Sequence, residues 1–184
     1  MGYIEIITGP MFSGKTSELI RLYNEMSNNK IIAINYDKDT RYCLNKIVSH
    51  NGESINCIAL HNLQDIWDIE QYQKYIMNAD YIFINEAQFF TNLKDWVLTI
   101  VERYNKNVIL CGLDSDFKRE KFGQLLDLIP HAHKITKLNG TCARCSDLSL
   151  YTHRTSAETE QEVIGIDNYT PVCRRCYLSL NTLT

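Results

Sequence analysis

Apolar residues recur along the chain in two rhythms, and their alternation sets out the architecture. The run Tyr3-Ile4-Glu5-Ile6-Ile7 reads as a first strand, and Leu19, Ile20, Tyr23 and Met26 then fall at helical spacing. The stretch Lys30 to Tyr36 predicts a buried second strand, and a short strand fits Ile55 to Leu60. From Asn62 to Ala79 the positions Leu63, Ile66, Ile69, Tyr72 and Ile76 predict a helix with Asn62 as its cap. A third long strand follows at Tyr81-Ile82-Phe83-Ile84, and Leu93, Trp96, Val97, Ile100, Val101 and Tyr104 predict a helix over 92–105. Asn107 to Asp114 is a fourth clear strand, and a helical turn at 124–129 with a strand at 134–138 closes the series. Strands alternating with helices predict an α/β fold with a mostly parallel sheet flanked by helices.

The turn after the first strand changes the picture from scaffold to chemistry. Gly9-Pro10-Met11-Phe12-Ser13-Gly14-Lys15-Thr16 has two glycines separated by four residues, then Lys and Thr opening a helix, which is the P-loop pattern. Glycines let backbone N–H groups turn inward, where with the helix N-terminus they form a site for phosphate. Lys15 can reach the β- and γ-phosphates of a nucleotide, and the Thr16 hydroxyl can ligate the magnesium that accompanies them. A nucleotide with magnesium is therefore the expected ligand.

Two further stretches lie beyond strand ends, where ligands gather in an open parallel sheet. Arg41, in Asp39-Thr40-Arg41-Tyr42, is either a phosphate or transition-state contact or a solvated loop arginine. In Asn85-Glu86-Ala87-Gln88-Phe89-Phe90, Glu86 is the candidate general base for an attacking hydroxyl, with helix capping as its bland alternative. Phe117 and Phe122, in a charged loop beyond the fourth strand, either cover the core or stack on a base.

Composition narrows the partners. The 184 residues suit one domain, or one with a small appendage, and the formal net charge of −3 gives no basic surface for nucleic acid. No apolar run approaches the roughly 20 residues that span a bilayer, and no charged-then-apolar leader opens the chain, so a cytoplasmic protein without membrane contact is expected. Four of the seven cysteines form two CxxC pairs, Cys142/Cys145 and Cys173/Cys176, separated by residues 146–172. That spacing predicts a structural four-thiolate zinc site, against a redox dithiol or a disulfide pair. Arg144, Arg174 and Arg175 can offset its negative charge. A boundary near Asn139-Gly140 divides a nucleotide-binding domain, 1–139, from a zinc module, 140–184.

In order along the chain, the glycine loop, Asp39 to Tyr42, Glu86 to Phe90, Leu113-Asp114 with Phe117 and Phe122-Gly123, both CxxC pairs and the ending Gly165 to Tyr177 resemble the zinc-containing cytosolic thymidine kinases. The resemblance covers nearly the whole chain. It implies a RecA-like P-loop fold with a zinc-anchored lasso, and transfer of the γ-phosphoryl of ATP to the 5′-hydroxyl of thymidine, giving dTMP. On this resemblance Glu86 matches the catalytic base, while Asp39, Thr40, Arg41, Asn85, Ala87 and Gln88 match nucleotide-side positions. Phe117, Gln161, Glu162, Val163, Ile164, Gly165 and Tyr169 match the thymidine site, and Phe89, Leu113 and Thr152 match positions lining the base pocket. A homotetramer and inhibition by thymidine triphosphate (dTTP) are implied as well. Two alternatives of other classes are a P-loop ATPase that couples hydrolysis to movement and a non-catalytic nucleotide-binding protein.

Two departures from the family pattern stand out. Asn85 occupies the position where the family usually carries Asp. At about 5 Å and an effective dielectric near 20, the lost charge is worth on the order of several kcal/mol toward a divalent ion before solvent discounts it, so a raised magnesium requirement is expected. The chain also ends eight residues after Cys176, which leaves no room for the degradation tail of some relatives, so turnover control of that kind is not expected.

Overall fold

Continuous apolar runs form the inner strands of one sheet, as residues buried on both faces require. The computed structural model describes residues 1–38, 45–163 and 168–181. The first part of the chain runs β1 (Tyr3–Gly9), α1 (Lys15–Glu25), β2 (Ile31–Tyr36), β3 (Lys46–Val48), β4 (Ser54–Asn56) and β5 (Ile58–Leu60). It continues through α2 (Asp65–Asp68), α3 (Glu70–Asn78), β6 (Tyr81–Ile84), α4 (Leu93–Leu98), β7 (Asn107–Leu113) and β8 (Lys134–Lys137). Six of these strands form one sheet in the order β5-β2-β6-β7-β1-β8. Every pairing in it is parallel.

Because side chains alternate across a strand, each strand divides its residues between two cores. Ile4, Ile6, Ile34, Ile82, Ile84, Val108 and Leu110 join the cluster on one face, together with Ile76 of α3 and Leu93, Trp96 and Val97 of α4. Ile7, Ala33, Phe83, Ile109 and Cys111 face the other way, onto Leu19, Ile20 and Leu22 of α1. Ile47 and Ile55, from the antiparallel β3–β4 hairpin, extend this second cluster. The sequence pattern does not show that hairpin, since each of its strands has a single buried apolar residue.

Parallel register also decides where the loops gather. Gly9 lies opposite Leu113, and the residues after β2, β6 and β7 emerge at the same edge as the glycine loop. The predicted mostly parallel α/β sheet is thus present. Two predicted helices differ in detail. Ile69 is extended (φ −111°, ψ 104°) and splits the 62–79 helix into α2 and α3. The 92–105 helix widens to π geometry over Thr99–Arg103, where the Thr99 hydroxyl donates to the Asp95 carbonyl at 2.8 Å.

After β8 the chain builds smaller units: β9 (Gly140–Thr141) pairs with β10 (Leu148–Ser149), β11 (Tyr151–Arg154) pairs with β12 (Tyr169–Val172), and α5 (Arg174–Asn181) follows. Cys142, Val172, Cys173 and Tyr177 form their own buried cluster. Among the described residues no helix is long and apolar enough to cross a membrane.

Phe83 is fully buried in the centre of the sheet and meets Tyr23 of α1 edge-on at 5.4 Å between centroids. Phe83→Ala is expected to lower unfolding stability by about 3–5 kcal/mol, measured by urea denaturation, because the sheet cannot collapse into the void.

Candidate functional site

A cleft opens at the carboxyl edge of the sheet, and the glycine loop forms its floor. Gly14 takes the left-handed conformation (φ 83°) at the N-terminus of α1 and has no side chain to cap the first turn, so those N–H groups point toward the loop. Met11, Phe12, Ser13, Gly14, Lys15 and Thr16 all line the cleft. Gly9 and Pro10 do not, and they act on the loop from behind. A Cβ on Gly9 would stand 2.3 Å from the Leu138 carbonyl oxygen, so only glycine permits this approach of loop to β8. The Lys15 ammonium donates to the Pro10 carbonyl at 2.8 Å.

Beyond β6 the chain turns sharply. Glu86 is itself left-handed (φ 52°, ψ 42°), as is Phe12 (φ 61°). Such conformations cost about 1–3 kcal/mol each and persist where surrounding structure imposes them. Gln88 supplies that constraint at Glu86. Its side chain, only 3% exposed, donates to Glu86 Oε2 at 2.7 Å and accepts the Leu113 N–H at 3.0 Å. Gln88 thereby ties the candidate base to the end of β7. Glycines make room for it: a Cβ on Gly112 would meet Gln88 Oε1 at 2.5 Å, and one on Gly123 would meet its carbonyl oxygen at 2.0 Å. Ala87 is fully buried in the main core and does not line the cleft, so its placement is that of a packing residue.

Asn85 is buried in a neutral network. Its amide donates to Asn35 Oδ1 at 2.8 Å, and its own Oδ1 accepts the Cys111 thiol at 2.9 Å. One lone pair of the amide oxygen is therefore engaged and the other remains to accept a hydrogen bond. Thr16, Asn85 and Glu86 line the cleft together. A set of hydroxyl, amide and carboxylate oxygens fits a hard cation such as magnesium.

The opposite wall is aromatic. Phe89 stacks on Tyr36 at 4.9 Å and meets Phe122 edge-on at 5.2 Å. Phe117, Leu113, Thr152, Gln161, Glu162, Val163 and Tyr169 complete this side of the same cleft. Phe117 is thus at the cleft rather than serving only as core cover, and so is Phe122. Asp39, Thr40 and Arg41, with Ile164 and Gly165, lie outside the described residues. Several cleft residues escaped the sequence reading, among them Tyr36, His50 and Asp116. Asp116 accepts the Lys118 and Glu120 N–H groups with one oxygen and the Gln161 amide at 2.7 Å with the other. Its local turn contacts are ordinary for an aspartate in a loop, and the bond to Gln161 that brings it to the cleft wall is distant in the chain.

The two halves of the cleft touch. The Met11 N–H donates to the Thr152 hydroxyl at 2.9 Å, linking the glycine loop to β11. Gly140, at the start of β9, packs so closely on the loop that a Cβ there would lie 2.8 Å from the Phe12 carbonyl oxygen.

The four cysteines of the CxxC pairs converge, with their sulfurs all within 4.8 Å of one another. Cys145 Sγ lies 3.6 Å from both Cys173 Sγ and Cys176 Sγ. An S–S bond is about 2.05 Å, whereas thiolates about 2.3 Å from one tetrahedral zinc stand about 3.8 Å apart, so the arrangement fits a metal and not a disulfide. Burial raises the Cys142 thiol, but N–H donation from Cys173, Arg144 and Cys145 outweighs it and holds the group at about 6. Burial and the neighbouring cysteines push Cys176 up to about 12. Arg175 hydrogen-bonds Cys145 and is the arginine that offsets the site's charge most directly. Arg174 lies over the Tyr151 ring at 5.4 Å.

A glycine loop at the carboxyl edge of a parallel sheet, with Lys15 and Thr16 opening the next helix, defines a P-loop protein built to hold nucleotide phosphates. The family described as "TK: Thymidine kinase" matches residues 2–177. The chain belongs to the thymidine kinase family. It is 42% identical over 184 residues to "Thymidine kinase" of Oryza sativa subsp. japonica, covering 96% of this chain and 66% of that one. It is 38% identical over 179 residues to "Thymidine kinase, cytosolic" of Gallus gallus, covering 96% and 77%. With "Thymidine kinase" of Sheeppox virus (strain KS-1) it shares 38% over 179 residues, covering 96% and 97%.

Gln88→Leu is expected to cost about 1–3 kcal/mol in thermal or urea unfolding, because the buried Leu113 N–H loses its acceptor. A stability equal to that of the natural protein would show that Gln88 does not hold the turn.

Proposed function

We propose that the protein is an ATP-dependent thymidine kinase, transferring the γ-phosphoryl of ATP to the 5′-hydroxyl of thymidine to give dTMP and ADP. The observation that carries this reading is that the glycine loop, Glu86 and an aromatic wall suited to a base line one cleft. A motor-type ATPase has no use for such a wall, and a decayed binding protein has none for a carboxylate held in a strained turn by Gln88. Neither alternative is favoured.

The backbone N–H groups of the glycine loop and the first turn of α1 hold the phosphates, and Lys15 compensates charge on the β- and γ-groups. Glu86 accepts the proton of the 5′-hydroxyl as that oxygen bonds to the γ-phosphorus. The bond from the γ-phosphorus to the β,γ-bridging oxygen breaks, and its electron pair leaves with ADP. Arg41 fits a contact to the transferring group. Phe89, Leu113, Phe117, Phe122 and Thr152 bound the base, with Gln161, Glu162, Val163 and Tyr169 beside it. Thr16 would hold magnesium, with Asn85 and Glu86 accepting from its water shell. When bound, that ion neutralises charge that builds up on the bridging oxygen.

Zinc on Cys142, Cys145, Cys173 and Cys176 is structural in this reading, since four protein ligands leave no open position. It ties together the base of the lasso in a module at 140–184, apart from the nucleotide-binding domain at 1–139. A homotetramer, inhibition by dTTP and a cytoplasmic location rest on family likeness, one relative being described as cytosolic.

Phosphate transfer from ATP should require thymidine, and ATP consumption that ignores thymidine would overturn the assignment. In a magnesium titration Asn85→Asp should reach half-maximal rate at a lower concentration than the natural protein. The same variant should melt at a lower temperature, because its carboxylate is buried beside Asn35 and Cys111 and can no longer donate to Asn35 Oδ1. Equal magnesium dependence of the two proteins would refute the role given to position 85. Chelating the zinc should weaken thymidine binding before ATP binding, followed by equilibrium binding of each; parallel loss would place the metal elsewhere in the mechanism.

A further inference from the structure

The loop between β11 and β12 has a second organiser besides the cysteine site. Arg154 ends β11 opposite Tyr169 of β12, the level at which the two strands part into the loop. It is only 5% exposed, yet among the described residues it forms no ion pair. A guanidinium buried without a carboxylate is costly unless its donors are met by other groups. Here the loop backbone and the Tyr169 hydroxyl meet those of Nη1 and Nη2, while Nε has no hydrogen-bond partner among the described residues. Nη1 donates to the Glu158 carbonyl at 3.0 Å and to the Glu160 carbonyl, and Nη2 donates to the Gln161 carbonyl at 3.1 Å. Nη2 also donates to the Tyr169 hydroxyl at 2.5 Å, which in turn donates to the Val163 carbonyl at 3.1 Å.

The flat face of the same group is used as well. The guanidinium carbon lies 3.8 Å from the centre of the Phe117 ring, and the Phe117 carbonyl accepts the Tyr177 hydroxyl of α5 at 2.7 Å. One side chain therefore fixes the loop carbonyls with its edge and a cleft aromatic with its face. The residues whose path is set this way, from Gln161 to Val163, form the cleft wall beside Phe117.

We propose that Arg154 is a positioning residue for the nucleoside side of the cleft, acting by holding the 158–163 backbone and the Phe117 ring in one arrangement. It touches neither phosphates nor reacting atoms, and it works separately from the four cysteines. Lysine cannot replace it, because an ammonium has neither the planar fork that reaches three carbonyls at once nor a face to lie on Phe117. The part of this inference that concerns the nucleoside rests on the thymidine kinase reading above.

The test compares the natural protein with Arg154→Lys and Arg154→Met as full-length, zinc-loaded chains. Glu-specific protease reads the loop directly, since Glu158, Glu160 and Glu162 lie in it. Both variants should be cut there at least about tenfold faster with zinc content unchanged, and thymidine KM should rise about tenfold or more while ATP KM moves less than about twofold. If Arg154→Met does not yield folded protein, Arg154→Lys decides alone. Cleavage at the natural rate, or KM values for thymidine and ATP that rise together, would overturn the proposal. Should the natural protein not phosphorylate thymidine at all, the functional reading falls while the cleavage comparison still judges the role of Arg154.

Discussion

The register of the parallel sheet is the constraint on which this molecule depends. Backbone pairing of β1 with β7, and of β6 with both β7 and β2, sets the ends of those strands at one edge. The glycine loop, Asn85, Glu86 and Leu113 are thereby brought to one place by the backbone. Burial on both faces makes this register hard to shift, because a slip of one residue would exchange the two cores carried by Ile82, Phe83 and Ile84. The rigid edge is what allows the turn at Glu86 to be strained: Gln88 holds it against β7, and the close approaches at Gly112 and Gly123 leave no space for relaxation.

Around this edge the polar groups are arranged for different ends. Asn35, Asn85 and Cys111 make a buried neutral network, and Asn85 lines the cleft together with Lys15 and Glu86. The cysteine site solves another problem. The units after β8 have small cores, in which Cys142, Cys173, Val172 and Tyr177 are the buried centre, and small units of this kind commonly need a metal or another staple to hold them. Arg154 supplements that staple from within, using backbone carbonyls as its partners.

Much of this was legible in the sequence for physical reasons. Unbroken apolar runs such as Tyr81 to Ile84 can be buried on both sides only in a covered parallel sheet, and the spacing of Gly9, Gly14, Lys15 and Thr16 is dictated by the size of a phosphate group. The CxxC pairs were legible because two intervening residues bring both sulfurs to one ion. What stayed hidden depends on contacts remote in the chain. Nothing in the sequence singles out Arg154, and its role emerges only when the 158–161 carbonyls and Phe117 close on it. Gln88 lay within a recognised segment, but its bracing of Glu86 requires β7 to be present. The break at Ile69 and the π turn at Thr99 escaped because apolar periodicity survives both.

The hydrogen bond from the Met11 N–H to the Thr152 hydroxyl joins the floor of the cleft to its far wall. Position 152 is consequently not independent in evolution. A change there that reshapes the wall also alters the acceptor on which the phosphate-holding backbone rests, so altered preference for one ligand arrives together with altered handling of the other. Lineages that retune the wall would be expected to do so at Phe89, Leu113 or Phe122 before they touch Thr152.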